Sequence, residues 1–313
     1  VSNISIYMDP NQKGKNNTDL VFKDATGKVV FYATSVNFNT DKLISLETKE
    51  TLDDWPLYNT YKVKGDKVVY LPKKETKNLQ SKTYIYQVLS IEDFAQILFP
   101  DKSKTEKSKN DVYIDRYNNK LSQDQDVLNY SASSGPTDNT QDMDNVLDSW
   151  SNVNSYQGWT DQYIYDDFVV KPTSSESEVT FRMMIDGLPV YSPSSNPYQS
   201  LINIKWSKGR LSELNRTLLN LKNIPLAEGT DVTLESAKDV IKILKNNDKN
   251  LQDVQDIQMG YLMIKSPDPN QPYVTLTPSW FIKEDDQWIQ LQDNNDIGIL
   301  NGKPIDPQME GSK

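Results

Sequence analysis

The stretch "EVTFRMMIDGLPVY", residues 178–191, carries the pattern that decides the fold. Apolar residues at every second position, then a two-residue polar turn and a second short apolar run, are typical of a β-hairpin. Asp186-Gly187 is the predicted turn, because both residues tolerate the positive φ angles that tight hairpin turns require. The alternating side chains are Val179, Phe181, Met183 and Ile185. We therefore predict an antiparallel sheet with one face against a core.

Strand-like sequence continues on both sides of this hairpin. "DQYIYDDFVV" at 161–170 precedes it, and "SLINIKW" at 200–206 follows it. Successive side chains of a strand point to opposite faces, so the segment at 200–206 has one apolar side and one mixed side. The apolar side holds Ile202, Ile204 and Trp206, and the mixed side holds Leu201 and Asn203. The three segments together predict an antiparallel meander.

A helix precedes this meander, and a second helix followed by a second set of strands comes later. The apolar residues of "MDNVLDSWSNV" (143–153) and "TLESAKDVIKILKN" (233–246) recur at spacings of three and four, which is typical of amphipathic helices. In the first these are Met143, Val146, Leu147, Trp150 and Val153; in the second they are Leu234, Ala237, Val240, Ile241 and Leu244, with Thr233 as candidate N-cap. We predict two related helix-plus-meander units, about 116–228 and 229–313.

The first 115 residues are strand-rich and contain one short helix. Segments such as "KVVFYATSVNF" and "KTYIYQVL" combine β-branched and aromatic residues between turn-forming residues such as Lys64-Gly65-Asp66. In "SIEDFAQILF", Ser90 can cap a helix and Asp93 stands at the third position after it. Residues 101–111 are charged and aperiodic, which predicts a solvated loop. The fold class is therefore α+β, with mostly antiparallel sheets, a mostly β domain at 1–115 and an α+β domain at 116–313.

Composition excludes several classes of function. The 313 residues carry a net charge of −10, which disfavours binding to nucleic acid. Histidine and cysteine are absent, so no Ser-His-Asp triad, thiol nucleophile or histidine-ligated metal can form. A chain without cysteine also fits a protein that works outside the cell. We expect no cofactor and no catalytic site.

Carboxylates are the remaining candidates for catalysis or metal binding. Two suffice for glycoside hydrolysis, and Asp166-Asp167 and Glu284-Asp285-Asp286 are candidates. Adjacent acids on a strand point to opposite faces, and "KEDDQ" is typical of a hairpin turn, so we interpret both groups as solvated charges. The segment 293–304 resembles a calcium loop but has Ile297 and Pro304 where oxygen ligands are required.

The run Gly158-Trp159-Thr160-Asp161 follows the first predicted helix directly. Glycine tolerates the left-handed conformation that ends a helix, so Gly158 predicts a helix stop. Trp159 would then fold back onto the apolar face of that helix. A stacking platform for a ligand is the alternative, but we interpret the run as a stop, a hydrophobic clamp and a polar turn.

Four short motifs in order resemble the YycH family. They lie in "NSYQGWTDQYIYDD", "VTFRMMIDGLPVYS", "DIQMGYLMIKSP" and "VTLTPSWFIKEDDQWIQL". The motif residues, which we expect to be structural, are Gly158, Trp159, Thr160, Asp161, Asp186, Gly187, Leu188, Pro189, Val190, Gly260, Tyr261, Pro278 and Trp280. The resemblance covers the C-terminal two thirds of the chain.

The resemblance implies a regulatory role rather than an enzymatic one. Members of the family are extracytoplasmic accessory proteins of the cell-wall-regulating YycG (WalK) sensor histidine kinase of Gram-positive bacteria. They act with a YycI-like protein and are anchored by one N-terminal transmembrane helix. This sequence begins at Val1 and has no run of ~18 apolar residues, so we expect the anchor and an N-terminal domain to precede it. A homodimer and a module that binds wall polymer or peptide remain alternatives.

Overall fold

The computed structural model describes residues 3–8, 18–23, 29–36, 56–99, 101, 106–107, 112–133, 145–171, 175–193, 195–222, 224–226, 229–268 and 270–292. Within these ranges the chain forms three α-helices and many strands, which pair mostly in antiparallel fashion. The predicted α+β class is therefore confirmed.

Helix α1 spans Ile91–Leu98 and begins where the sequence predicted. The Ser90 Oγ accepts a hydrogen bond from the Asp93 backbone N–H at 3.3 Å, which satisfies one of the free N–H groups of the first turn. Ile91, Phe94 and Ala95 are buried on one face. The serine and the apolar spacing together account for this helix.

Helix α2 spans Asn145–Ser155, but two of its predicted inward residues face solvent. Leu147 is 61% exposed and Trp150 is 54% exposed. The buried stripe instead includes Ser149, whose Oγ accepts a hydrogen bond from the Trp206 indole N–H at 2.8 Å. A buried indole needs a hydrogen-bond acceptor, so a polar residue occupies a position that the apolar pattern assigns to a neighbour. Met143 lies outside the described residues.

Helix α3 spans Ala237–Asn246, and its predicted N-cap was wrong. Ser236, not Thr233, caps the helix, with its Oγ accepting from the Asp239 N–H at 3.4 Å. Thr233 lies in the extended segment Asp231–Leu234, so the chain turns into the helix only after that segment ends. The predicted inward face is buried at Ala237, Val240 and Leu244.

The strands are numbered in chain order. They are β1 Asn3–Met8, β2 Thr18–Lys23, β3 Val29–Val36, β4 Tyr58–Lys62, β5 Val68–Pro72, β6 Thr76–Gln80, β7 Lys82–Val88, β8 Glu106–Lys107, β9 Tyr113–Ile114, β10 Lys120–Asp124, β11 Val127–Ser131, β12 Gln162–Lys171, β13 Glu176–Ile185, β14 Leu188–Tyr191, β15 Leu201–Ser207, β16 Arg210–Thr217, β17 Leu219–Leu221, β18 Asp231–Leu234, β19 Asp256–Lys265, β20 Tyr273–Glu284 and β21 Gln287–Gln290.

The sequence predicted a loop at residues 101–111, but part of this segment forms a strand. Strand β8 lies there and pairs with β9. The Lys107 ammonium lies 3.1 Å from a Glu92 carboxylate oxygen and 5.2 Å from the centre of the Tyr113 ring. Charged residues are tolerated in such a strand because it lies at the end of the sheet.

Contacts divide the chain into two compact units, which are described separately. The first contains 1–77, 233–258 and 280–313, and the second contains 78–232 and 259–279. These units group the residues differently from the predicted domains 1–115 and 116–313. That 116–228 and 229–313 are related units stays a prediction, although both contain a helix, two long strands, a two-residue turn and a four-residue strand in the same order.

The second unit is built on one large sheet. Its strand order is β17-β7-β20-β19-β14-β13-β15-β16-β11-β10-β9-β8, and β12 pairs with β13. The pair β14–β19 is parallel, whereas β13–β14 and β7–β20 are antiparallel. Helices α1 and α2 contribute to a core against the β13–β15–β16–β11 part of the sheet. This core includes Phe94, Phe99, Leu128, Val153, Val179, Phe181, Ile202, Ile204 and Leu214.

The first unit contains a three-stranded sheet, β1-β2-β3, and the hairpin β4–β5. The end of β20 pairs with β21 there, from Phe281↔Gln290 to Glu284↔Gln287. Its buried apolar residues include Val63, Leu71, Leu234, Ala237, Val240, Leu244, Val254, Ile257, Trp280, Phe281 and Ile282. The residues Ala25-Thr26-Gly27-Lys28 also predict a turn between two strands, and they lie outside the described residues.

Candidate interaction surface

A buried arginine holds the end of α2 in place. Gly158 has a φ angle of +72° and donates its N–H to the Val153 carbonyl at 3.0 Å, which ends the helix as the sequence predicted. Arg216, with no exposed surface, donates to the carbonyls of Tyr156 at 2.8 Å and Gly158 at 3.0 Å. Its guanidinium also lies 5.0 Å from the centre of the Phe94 ring. The glycine is therefore held from two sides.

Trp159 packs inside the unit rather than projecting from it. Its ring lies 5.1 Å from Phe181 in an edge-to-face arrangement and 5.5 Å from Tyr163. The indole N–H donates to the Asn154 Oδ1 at 3.0 Å. It also lies against the core that contains Val153 of α2. These contacts support a structural role, which we propose in place of a ligand platform.

Thr160 and Asp161 follow Trp159 and lie beside the aromatic contacts that it makes. The Thr160 and Tyr163 hydroxyls are 3.0 Å apart. Asp161 Oδ2 is buried and accepts no hydrogen bond. Burial raises the pKa of Asp161 to about 7, although a hydrogen bond from the Leu221 backbone opposes this. The carboxyl group is therefore half protonated near neutral pH.

The raised pKa of Asp161 predicts a dependence of stability on pH. The folded chain holds this proton to a higher pH than the unfolded chain, so the contribution to stability is complete below pH ~4 and is lost as the pH rises towards ~7. The sequence has no histidine that titrates in this range. When the pH rises from 5 to 8, we expect the free energy of unfolding, measured in urea, to fall less for Asp161→Asn than for the wild type. An equal loss in both proteins would contradict the assignment.

The motif Asp186-Gly187-Leu188-Pro189-Val190 forms a turn and strand β14. Asp186 and Gly187 have φ angles of 49° and 77°, as a two-residue hairpin turn requires. The Asp186 carboxylate pairs with the Lys82 ammonium. Val190 is buried. The predicted hairpin is confirmed.

The motif Gly260-Tyr261 meets β14 from the neighbouring strand β19. Tyr261 is the register partner of Val190 in the parallel pair. A Cβ atom at Gly260 would lie 2.6 Å from both the Pro189 carbonyl oxygen and the Tyr191 ring. Only glycine fits so close an approach, so two motifs that are distant in sequence form one packed junction.

The last motif, Pro278-x-Trp280, lies in β20. Pro278 is buried. Trp280 is 3% exposed, and its indole N–H donates to the Glu235 carbonyl at 3.2 Å. Both observations support a structural role for these residues, which stays our proposal.

The acidic groups interpreted as solvated charges divide into two kinds. Asp285 and Asp286 are exposed in the β20–β21 turn, as predicted. Asp166 is not solvated: its two carboxylate oxygens accept from Arg182 at 3.0 and 2.7 Å. Glu284 pairs with the Lys249 ammonium. The interpretation was wrong for Asp166 because a β-bulge between Tyr165 and Asp167 turns this carboxylate towards a buried guanidinium.

No group of three or more acidic side chains in the described ranges is arranged to hold a metal ion. The imperfect calcium loop at 293–304 lies outside those ranges. None of the helices that the structure describes is long and apolar enough to span a bilayer.

Strand β12 presents an exposed apolar edge. Among the described strands it pairs only with β13. Half of its ten residues are exposed apolar side chains: Ile164, Tyr165, Phe168, Val169 and Val170. An edge strand carries unpaired backbone groups and soluble proteins rarely leave one this apolar, so β12 is the candidate interaction surface.

Sequence reasoning did not single out β12 as an interaction surface. Its segment "YIYDDFVV" carries apolar residues on both faces, which is equally typical of a strand buried inside a sheet. Strand order decides between the two, and order depends on the distant segments that pair with β13.

The similarity to known proteins covers the region that contains the four motifs. The family model described as the C-terminal domain of the YycH protein matches residues 66–296. The two-component system WalR/WalK regulatory protein YycH of Bacillus subtilis (strain 168) is 20% identical over 246 residues, which cover 76% of this chain and 52% of that protein. This chain therefore spans about half the length of its curated relative.

One solved structure shows the same fold. The crystal structure of YycH from Bacillus subtilis has a TM-score of 0.69 at 17% identity, covering 92% of this chain and 70% of that one. A structure of an uncharacterized protein from Eubacterium rectale ATCC 33656 has a TM-score of 0.46 at 10% identity, and the match covers 85% of this chain and 92% of that one. The first of these agrees with the α+β class seen here. Because the family model covers well over half of the 313 residues, this chain belongs to the YycH family.

Proposed function

We propose that this chain is a non-enzymatic accessory protein that modulates a WalK-type sensor histidine kinase through protein–protein contact. Family membership and the name of the relative, a WalR/WalK regulatory protein, support a regulatory role. The absence of histidine and cysteine from the sequence supports a role without histidine or thiol catalysis.

The observation that carries the proposal is the apolar edge of β12. Tyr165, Phe168 and Val170 have register partners whose side chains face the core, at Phe181, Val179 and Ser177. Ile164 and Val169 lie on the opposite face. A strand added at this edge would bury apolar surface on both faces while its backbone pairs with β12. Recognition of a partner by strand addition accounts for both the unpaired edge of β12 and its exposed apolar side chains.

The partners we propose are a YycI-like protein and the extracytoplasmic part of the kinase. The protein would act on the outer face of the membrane, held there by an anchor that precedes this chain. A chain without cysteine is consistent with that location. Self-association through β12 is a competing arrangement. The molar mass of the isolated chain in solution distinguishes it from binding to a different protein.

The test is a titration of the chain against the extracytoplasmic regions of a YycI-like protein and of the kinase. We expect Phe168→Ser with Val170→Ser to weaken binding at least tenfold, because two exposed apolar side chains are lost from the contact while the core is unchanged. The control is Ile224→Ser, since Ile224 is 79% exposed and lies outside β12.

Two outcomes would contradict this proposal. Equal binding by the β12 variant and the control would move the contact to another surface. Sedimentation with insoluble wall polymer, without binding to either protein, would favour a polymer-binding module instead.

A further inference from the structure

The strand pairing around β13 is repeated around β20. Strand β12 lies on one side of β13, and β15 and β14 lie in succession on the other side. Strand β19 lies on one side of β20 in the same way, and β7 and β21 lie in succession on the other side. A two-residue turn follows each central strand, Asp186-Gly187 after β13 and Asp285-Asp286 after β20. Each strand around β13 therefore has a counterpart around β20.

The counterparts β12 and β19 can be matched residue by residue. Gln162 is the register partner of Met184, which lies two residues before the first turn. Gln255 donates its backbone N–H to the Lys283 carbonyl at 2.7 Å, and Lys283 lies two residues before the second turn. The two glutamines therefore occupy the same place, and the residues that follow them correspond in order.

On β19, the edge that faces away from β20 is covered by β14. Val190 is the register partner of Tyr261 in this parallel pair. Tyr261 lies six residues after Gln255, and Phe168 lies six residues after Gln162. Phe168 of β12 therefore stands at the position that a parallel strand covers on β19.

Strand β21 is the counterpart of the covering strand β14. Each of these four-residue strands begins directly after its turn. Val190 is the third residue after the first turn, and Ile289 is the third residue after the second. Among the described strands, β21 pairs with β20 alone. A parallel pair of β21 with β12, built like the β14–β19 pair, sets Ile289 opposite Phe168.

Burial separates the covered junction from the two edges that resemble it. Val190 and Tyr261 are both buried where β14 meets β19. Their counterparts are not: Ile289 is 42% exposed and Phe168 is 37% exposed. Val169, next to Phe168, is exposed as well. Apolar side chains left on strand edges are typical of an interaction site. Both halves of a second junction are therefore present on the chain, and neither is covered.

We propose that β21 of one chain pairs in parallel with β12 of a second copy, with Ile289 against Phe168 and Gln290 beside Val169. We call this pair the self-contact. It joins two different edges, so each copy offers one of each. Unpaired backbone groups supply the hydrogen bonds, and the exposed apolar side chains supply the area that becomes buried.

The self-contact is expected to be weak. Gly260 lets the Pro189 carbonyl approach β19 closely, but its counterpart on β12 is Asp167, whose Cβ atom keeps a second strand further away. Each copy also carries a net charge of −10, so two copies repel one another. Association should therefore strengthen from about 0.1 M to about 1 M salt, as the Debye length falls from about 10 Å to about 3 Å.

The self-contact goes beyond the proposed function but rests on it in one respect, because both use β12. A chain that holds a second copy at β12 cannot hold a partner's strand there. Self-association therefore opposes binding to the partner, and the partner separates the copies. Ile289 distinguishes the two contacts, since it belongs to the self-contact alone.

The first test is disulfide cross-linking, which is specific because the chain has no cysteine. Neighbouring strands lie about 4.8 Å apart, within the Cα separations that a disulfide bridges. We therefore expect Val169→Cys chains mixed with Gln290→Cys chains to form a mixed disulfide on mild oxidation. The control mixes Val169→Cys with Ile224→Cys, since Ile224 is exposed and lies outside β21. Equal yields in the two mixtures, or preferred disulfides between two Val169→Cys chains, would overturn the proposal.

The second test is sedimentation equilibrium of the isolated chain from about 10 µM to about 1 mM, the range suited to a small and weak contact. We expect the average molar mass to rise with concentration, and Ile289→Ser to weaken self-association about tenfold. Ile224→Ser is the control and should associate like the wild type. Thermal melting of each variant distinguishes a lost contact from a lost fold.

Binding to a YycI-like protein separates this proposal from the proposed function. Ile289→Ser should bind that protein as tightly as the wild type, whereas Phe168→Ser with Val170→Ser should weaken both contacts. A chain that stays monomeric at every concentration would overturn the self-contact and leave the proposed function standing. Self-association that depends on Ile289, without binding to either proposed partner, would support the self-contact and contradict the proposed function.

Discussion

Replacing Trp280 with alanine is expected to lower the free energy of unfolding by about 3–5 kcal/mol. The indole is 3% exposed and belongs to the apolar interior of the first unit, and its N–H donates to the Glu235 carbonyl. Truncation leaves a cavity and removes this hydrogen bond. Urea unfolding followed by circular dichroism measures the loss, and Trp280→Phe should recover part of it by filling most of the volume.

Trp150→Ala is the matched control for Trp280→Ala. Trp150 is 54% exposed on α2, so its removal should change stability by less than about 0.5 kcal/mol. If the Trp280 variant melted like the wild type but lost binding to a partner, Trp280 would be a binding residue instead. A large effect of Trp150→Ala on binding alone would extend the interaction surface to α2.

Replacing Arg216 with methionine is expected to cost about 2–5 kcal/mol, because the carbonyls of Tyr156, Gly158 and Thr217 lose a donor. The guanidinium satisfies Tyr156 and Gly158, the residues at which α2 ends, and it is fully buried. Methionine keeps much of the volume but offers no donor. We expect the loss to appear first in the α2 region, measured by hydrogen exchange of the Gly158 amide.

Arg210→Met is the control for this change, since Arg210 lies in the same strand but is exposed. Arg216→Lys should be intermediate, because one ammonium cannot reproduce the fork that reaches two carbonyls. Equal stability of the Arg216 and Arg210 variants would show that the end of α2 is fixed by packing of Trp159 alone.

Local chemistry made much of the fold predictable. The alternation in β13 and β15 placed apolar residues correctly on one face, because the side-chain period of a strand is fixed by its backbone. Ser90 marked the start of α1, and Gly158 marked the end of α2, because each satisfies a requirement within a few residues. The four ordered motifs also identified the family.

The interaction surface could not be read in the same way. Periodicity tells which face a residue occupies but not which strand lies beside it. Strand β12 is an edge only because β13 takes β15 as its other long partner. Backbone hydrogen bonds join any two strands alike, so these neighbours are chosen by the packing of the whole unit.

The sequence by itself determined the elements, their buried faces and the chemistry that is missing without histidine and cysteine. Tertiary structure decided that Asp166 meets Arg182, that Gly260 must make room for Pro189, and that Trp150 faces solvent while Trp206 bonds to Ser149. Capping, turns and alternation act within a few residues, whereas these contacts join segments brought together only when the sheet closes its order and the core fills.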